Sequence, residues 1–144
     1  MIRAWNSARI TNVSTSTLLI NDSIAKMATT VEIEVLKENV YEIAIEGKIH
    51  SKFLKEGLNT ATFEFEIKEP KLWWCNGYGT QHLYDQTISI TSNNKLIESK
   101  QIKYGVRTIE LINESDNIGT SFYFKLNGKP VFMKGANYIP QDMF

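Results

Sequence analysis

The chain has 144 residues, 42% hydrophobic and 11% aromatic, and its 16 basic and 16 acidic side chains leave a formal net charge of +0. That length suits one domain, or one domain with a tail, and the apolar content is enough for a sizeable core. The balanced charge, without a basic stripe, argues against nucleic acid or an anionic membrane surface as partner, and no apolar run is long enough for a membrane-spanning helix.

From the first residue, Met1-Ile2-Arg3-Ala4-Trp5-Asn6 lacks the pattern of a signal peptide. A strand is expected over Ala8–Ile20. Period two then dominates. Val31, Ile33 and Val35 alternate with Glu32 and Glu34. Tyr41, Ile43 and Ile45 alternate with Glu42, Ala44 and Glu46. Phe63, Phe65 and Ile67 alternate with Glu64, Glu66 and Lys68. Each run reads as a half-buried strand, apolar on one face and wet on the other. Further strands are expected near 83–91, 96–103 and 106–112. Phe122, Phe124 and Leu126 form one more alternating run. Asn127-Gly128 then gives the strongest short-range hairpin signal, turning the chain into a return strand at 131–133. Glu46-Gly47-Lys48, Lys55-Glu56-Gly57 and Ser92-Asn93-Asn94 mark turns. No segment has a convincing helical period. Many short antiparallel strands predict an all-β fold, either an immunoglobulin-like sandwich, which is preferred, or a closed barrel.

Little in the chain points to catalysis of its own. Glu32, Glu34, Glu42, Glu64 and Glu66 sit at outward strand positions and read as a solvated face. His50 and His82 lie in separate segments without triad order or zinc spacing. The single Cys75 excludes an internal disulfide, removes most Cys-based metal chemistry, and reads as an idle thiol. Asn12, Asn21 and Asn113 open Asn-x-Ser sequons, read here as chance matches. One cluster stands out, from Pro70 to Tyr84, where Trp73, Trp74 and Tyr78 surround a glycine-containing loop. Such rings can stack on the apolar faces of sugars. The plainer expectation is that one Trp fills the sandwich core and the other covers a contact with another domain.

Two segments carry a family resemblance. Leu72-Trp73-Trp74-Cys75-Asn76-Gly77-Tyr78-Gly79-Thr80-Gln81-His82-Leu83-Tyr84 resembles the LWWPNGYGxQPLY stretch of β-mannosidases in glycoside hydrolase family 2. The run from Phe122 to Asp142, with Asn127-Gly128-Lys129-Pro130-Val131-Phe132 and Gly135-Ala136-Asn137-Tyr138-Ile139-Pro140, resembles their F-x-NGkPvFxkGANWIPxD. Tyr104-Gly105-Val106-Arg107 is similar to the GfR strand between them. Cys75 and His82 stand where the family pattern has prolines, and Tyr138 where it has Trp.

The resemblance implies an immunoglobulin-like domain over 1–128, followed at 129–144 by the first strand and loop of a (β/α)8 barrel. It implies a retaining glycosidase parent whose two catalytic glutamates lie on later barrel strands, so no catalytic residue falls in this chain. Asn137, Tyr138 and Asp142 match positions lining the pocket of such a barrel. The implied partners are an N-terminal sandwich and the barrel of the same parent, with a β-mannoside as substrate of the whole enzyme only. No metal or organic cofactor is implied, since two carboxylates suffice for this hydrolysis. The alternative reading is a stand-alone carbohydrate-binding or interaction sandwich using Trp73, Trp74 and Tyr78. The strand 131–135, without barrel neighbours, is expected to support self-association through the tail.

Overall fold

A computed structural model of the chain describes residue 5 and residues 7–21 and 23–139. Ten strands follow in order: β1 (Ala8–Ile20), β2 (Ile24–Val35), β3 (Asn39–Ile45), β4 (Lys48–Leu54), β5 (Gly57–Lys68), β6 (Tyr84–Ser92), β7 (Lys95–Tyr104), β8 (Ile109–Ile112), β9 (Tyr123–Leu126) and β10 (Lys129–Val131). Among the described residues there is no helix. Two compact units divide the chain, Met1–Val106 and Arg107–Phe144.

In the first unit, β1-β2-β5 form one antiparallel sheet and β4-β3-β6-β7 form another. Crossing between sheets after β2, β4 and β5 makes this three-plus-four arrangement an immunoglobulin-like sandwich. The expected alternation is what builds it. Val31, Ile33 and Val35 on β2 and Tyr41, Ile43 and Ile45 on β3 are buried, and Ile88 and Ile90 on β6 meet them. A second, smaller cluster gathers Ala25, Met27, Tyr104 and Val106, with Ile20, Phe65, Ile67, Leu72 and Tyr84 packed against it. Without a disulfide, these aliphatic and aromatic contacts hold the two sheets together.

Turn chemistry fixes the hairpins. Glu46 and Gly47 have φ of 49° and 71°, and Asn93 and Asn94 have 50° and 57°. Positive φ at both central residues is what a two-residue type I′ turn requires. Between β1 and β2, the Asn21 side-chain oxygen accepts from the Ser23 and Ile24 N–H groups at 2.9 and 2.8 Å. Asparagine ties its own turn in this way.

Strand β4 was not foreseen from sequence. It is an edge strand that buries only Leu54, so its residues show no clean alternation. Lys48 and Lys52 lie along it, and lysine is a common guard of free edges.

The second unit holds a three-stranded antiparallel sheet in the order β10-β9-β8. The expected Asn127-Gly128 hairpin is present, with φ of 49° and 75° at the turn. Asn127 also binds the chain before β8: its backbone N–H donates to the Thr108 carbonyl at 3.0 Å, and its side-chain oxygen accepts from the Thr108 N–H at 2.9 Å. Two boundaries move. The strand expected over 106–112 splits, because Val106 bridges to Leu72 in the first unit while β8 begins at Ile109. The return strand runs over Lys129–Val131, directly after the turn, rather than 131–133.

Candidate functional site: the aromatic loop

Residues 69–83 connect β5 to β6 and carry Trp73, Trp74 and Tyr78. The loop is pinned at its base. The Lys71 N–H donates to the Tyr84 hydroxyl at 2.8 Å, and the Trp73 N–H to the Val106 carbonyl at 2.9 Å. Leu72 forms a parallel bridge with Val106 and packs on the smaller core cluster. Higher up, Trp73 bridges Gln81, the Trp74 N–H donates to the Thr80 carbonyl at 3.0 Å, and the Tyr78 N–H closes on the Cys75 carbonyl at 3.1 Å. The loop is therefore a hydrogen-bonded hairpin rather than a free strap.

Glycine makes room for both indoles. A Cβ on Gly105 would lie 2.7 Å from the Cβ and Cγ of Trp73, and one on Gly79 would lie 2.8 Å from the Cγ and Cδ1 of Trp74. The expectation of a Trp inside the core is corrected here. Both indoles are half-buried, and the buried clusters are built from aliphatic, Tyr, Phe and Met side chains instead. An indole is large, and the narrow gap between two sheets is already filled by β-branched side chains. Tyr78 keeps 40% of its surface exposed at the loop tip.

Beneath the loop runs a ladder of rings. His82 meets Tyr84 edge-on at 4.7 Å, Tyr84 stacks on Tyr104 at 5.7 Å with 21° between planes, and Phe65 meets Tyr104 edge-on at 6.2 Å. Burial, helped by the nearby Glu46 carboxylate and Tyr84, holds the Tyr104 hydroxyl well above the ordinary phenol range. Cys75 is half-buried and free.

Asn137 and Tyr138 lie in the exposed segment 132–139 of the second unit, outside any strand. Asp142 lies outside the described residues. The strand carboxylates serve local partners: Glu34 pairs with Arg9, Glu66 with Lys26 at 3.7 Å, and Glu42 accepts from Thr91 at 3.3 Å. His50 packs its ring 4.7 Å from Phe63. Among the described residues, no three His, Cys, Asp or Glu side chains are placed to hold a metal ion.

A groove of about 670 Å³ opens between the first residues of β1 and of β7, lined by Trp5, Arg9, Leu96, Glu98 and Lys100 among others. Two of its charges have local partners: the Arg9 guanidinium lies 4.9 Å over the Trp5 ring, and the Glu98 carboxylate accepts from the Ile10 N–H.

The model of Glycosyl hydrolases family 2 matches residues 8–107, most of the chain. The chain belongs to glycosyl hydrolase family 2. Among curated relatives of this family 2 domain, beta-mannosidase B of Emericella nidulans is 33% identical over 143 residues, and that of Aspergillus oryzae also 33% over 143. Each match covers 94% of this chain but 17% of the relative, so the chain spans less than a fifth of their length. The solved beta-D-mannosidase of Dictyoglomus thermophilum superposes with a TM-score of 0.82 at 32% identity, covering 97% of this chain and 18% of that one. The exo-chitosanase of Amycolatopsis orientalis, 20% identical, shares the fold with a TM-score of 0.77, over 96% of this chain and 17% of its own. The relatives thus hold this family 2 domain within much longer chains.

Proposed function

We propose that this chain is the non-catalytic immunoglobulin-like domain of a retaining β-mannosidase, with the start of its catalytic barrel attached. The observation that carries the reading is the paired coverage: β-mannosidases match nearly all of this chain, yet the match is a small fraction of each of them. The Gly135-Ala136-Asn137-Tyr138-Ile139-Pro140 run supports the mannosidase branch over the galactosidase and glucuronidase branches, whose version of the segment is GvNrHE-like. In this reading the sandwich is the unit Met1–Val106 and the barrel begins within Arg107–Phe144, since the boundary expected at 128/129 would cut the β9-β10 hairpin. Asn137, Tyr138 and Asp142 line the sugar pocket once the later barrel strands supply the two glutamates. Barrel active sites draw on several strand ends at one face, so these residues alone form no site. The role of the sandwich is mechanical: it braces the barrel and the preceding sandwich, with the hydrogen-bonded aromatic loop as a contact surface. The test is hydrolysis of aryl β-mannoside by this chain and by the full-length parent. Turnover by the parent alone supports the proposal, and turnover by a clean preparation of this chain overturns it.

The exposure of Tyr78 beside two half-buried indoles favours a second reading, in which the loop stacks on sugar. Calorimetric titration with manno-oligosaccharides, repeated on Tyr78→Ala, tests it. Saturable heat lost in the variant supports it, and absence of heat removes it.

A further inference from the structure

One pattern inside the sandwich breaks the strand rule. Every second residue of β2 faces the core: Ala25 and Met27 enter the smaller cluster, and Val31, Ile33 and Val35 the larger. The residue between them, Thr29, is polar and 0% exposed. On β6, Tyr84 packs against the smaller cluster and Ile88 and Ile90 belong to the larger, while Gln86 between them is 2% exposed. On β1, Thr15 lies between Val13, which packs against the larger cluster, and Ile20, which packs against the smaller.

These three residues meet. The Gln86 side-chain oxygen accepts from the Thr29 hydroxyl at 2.9 Å and from the Thr15 hydroxyl at 3.1 Å. The two hydroxyls lie 2.9 Å apart. The Gln86 amide nitrogen donates to the Glu46 carboxylate at 2.7 Å, in the turn between β3 and β4. A hydrogen-bonded layer therefore lies between the two apolar clusters on β1, β2 and β6, while on β5 and β7 the successive core-facing residues Phe63 and Phe65, and Ile102 and Tyr104, pass from one cluster to the other. No buried side-chain nitrogen or oxygen among the described residues lacks a partner.

We infer that this polar layer divides the sandwich into two separately opening parts, and that the smaller one is the latch of the aromatic loop. A satisfied polar layer tolerates burial, but it thins the apolar contact between the cores on its two sides, leaving it to Phe63 and Phe65 on β5 and to Ile102 and Tyr104 on β7. Three contacts at the base of the loop lie on the side of the smaller cluster. Leu72 packs on the smaller cluster, Val106 takes the Trp73 N–H, and Tyr84 takes the Lys71 N–H. Opening that end frees residues 70–83 while Val31, Ile33, Ile43 and Ile88 stay packed. This goes beyond the bracing role proposed above: the bracing loop sits on a part of the domain that yields first.

The experiment is amide hydrogen exchange of the whole 144-residue chain at low, graded denaturant. Amides of Ala25, Met27, Phe65 and Tyr104 are expected to exchange through an opening roughly tenfold or more populated than the one exposing Val31, Ile33, Ile43 and Ile88. Replacing the layer with apolar side chains, Thr15→Val with Thr29→Val and Gln86→Leu, is expected to narrow that gap to about threefold or less by fusing the two cores. If the triple substitution does not fold, Gln86→Met alone is read in the same way. A single opening common to both ends in the unaltered chain overturns the inference, as does a gap that the substitutions leave unchanged.

Discussion

Gly105 and Trp73 occupy each other's space: the indole of Trp73 lies where a side chain at Gly105 would begin, 2.7 Å from an ideal Cβ. Gly105 follows Tyr104 at the end of β7, and Trp73 donates its backbone N–H to Val106, the next residue along. The loop is thus seated on the end of a strand by one missing methyl group. Gly105→Ala is expected to destabilise the domain by about 1–3 kcal/mol, as overpacking does where neither side can withdraw. Gly119→Ala, whose Cβ meets nothing within 4 Å, is the control and should stay within about 0.5 kcal/mol of the parent sequence. Urea unfolding of the two variants reads the difference.

Tyr104 makes the domain sensitive to alkali. Its folded pKa is raised, first by burial and then by Glu46 and Tyr84. The unfolded chain therefore loses the proton first. The contribution of Tyr104 is complete below the unfolded phenol pKa of about 10 and declines as pH rises from there towards the folded value. Tyr104→Phe removes this dependence, so its unfolding midpoint should fall less steeply above pH ~10. Equal slopes in the two proteins would show that Tyr104 is not the group responsible.

At the Asn127-Gly128 turn, both residues have positive φ, and Asn127 makes two bonds to Thr108. Asn127→Ala keeps a side chain in the left-handed region and loses the side-chain acceptor. A cost of about 1–2 kcal/mol is expected in the β8-β9-β10 sheet. Chemical shifts of Thr108 and Leu126 report whether the hairpin survives.

Asp116 ties the loop between β8 and β9 by accepting from the Ile118 and Gly119 N–H groups at 2.7 and 2.8 Å. Those bonds favour the carboxylate and lower its pKa. Their contribution is present above the unfolded carboxyl pKa and is lost as pH falls through the folded one. The amide shifts of Ile118 and Gly119 should titrate together below the ordinary Asp range. Titration at or above that range would contradict the assignment.

The terminal segment exposes Phe132, Met133, Tyr138 and Ile139. Large apolar side chains gathered on a surface favour association. Light scattering is expected to show concentration-dependent self-association that disappears when residues 130–144 are removed. A monomer in both forms would exclude the tail as the contact.

Much of the fold could be read from the residues. Val31-Glu32-Ile33-Glu34-Val35 states which face is wet, and Asn127-Gly128 states where the chain turns. Strand β4 could not be read, because an edge strand wetted over most of its length loses the alternation on which the reading depends. The polar layer escaped for the opposite reason. Thr29 and Gln86 occupy core positions, and only the meeting of β1, β2 and β6 shows that they satisfy one another. The aromatic loop was identified as the unusual segment, but the placement of its indoles was not, since the deciding partners Gly79 and Gly105 act through the space they leave. Asn137 and Tyr138 were named by resemblance, and their exposed position becomes meaningful only with the barrel that the proposal supplies.

The central claim, a support domain of a β-mannosidase, is tested most directly by comparing turnover of aryl β-mannoside, β-galactoside and β-glucuronide by this chain and by its full-length parent. The account predicts no turnover by the chain and a clear preference for the mannoside by the parent. Turnover by the chain itself, or a parent that prefers the galactoside or glucuronide, would contradict it.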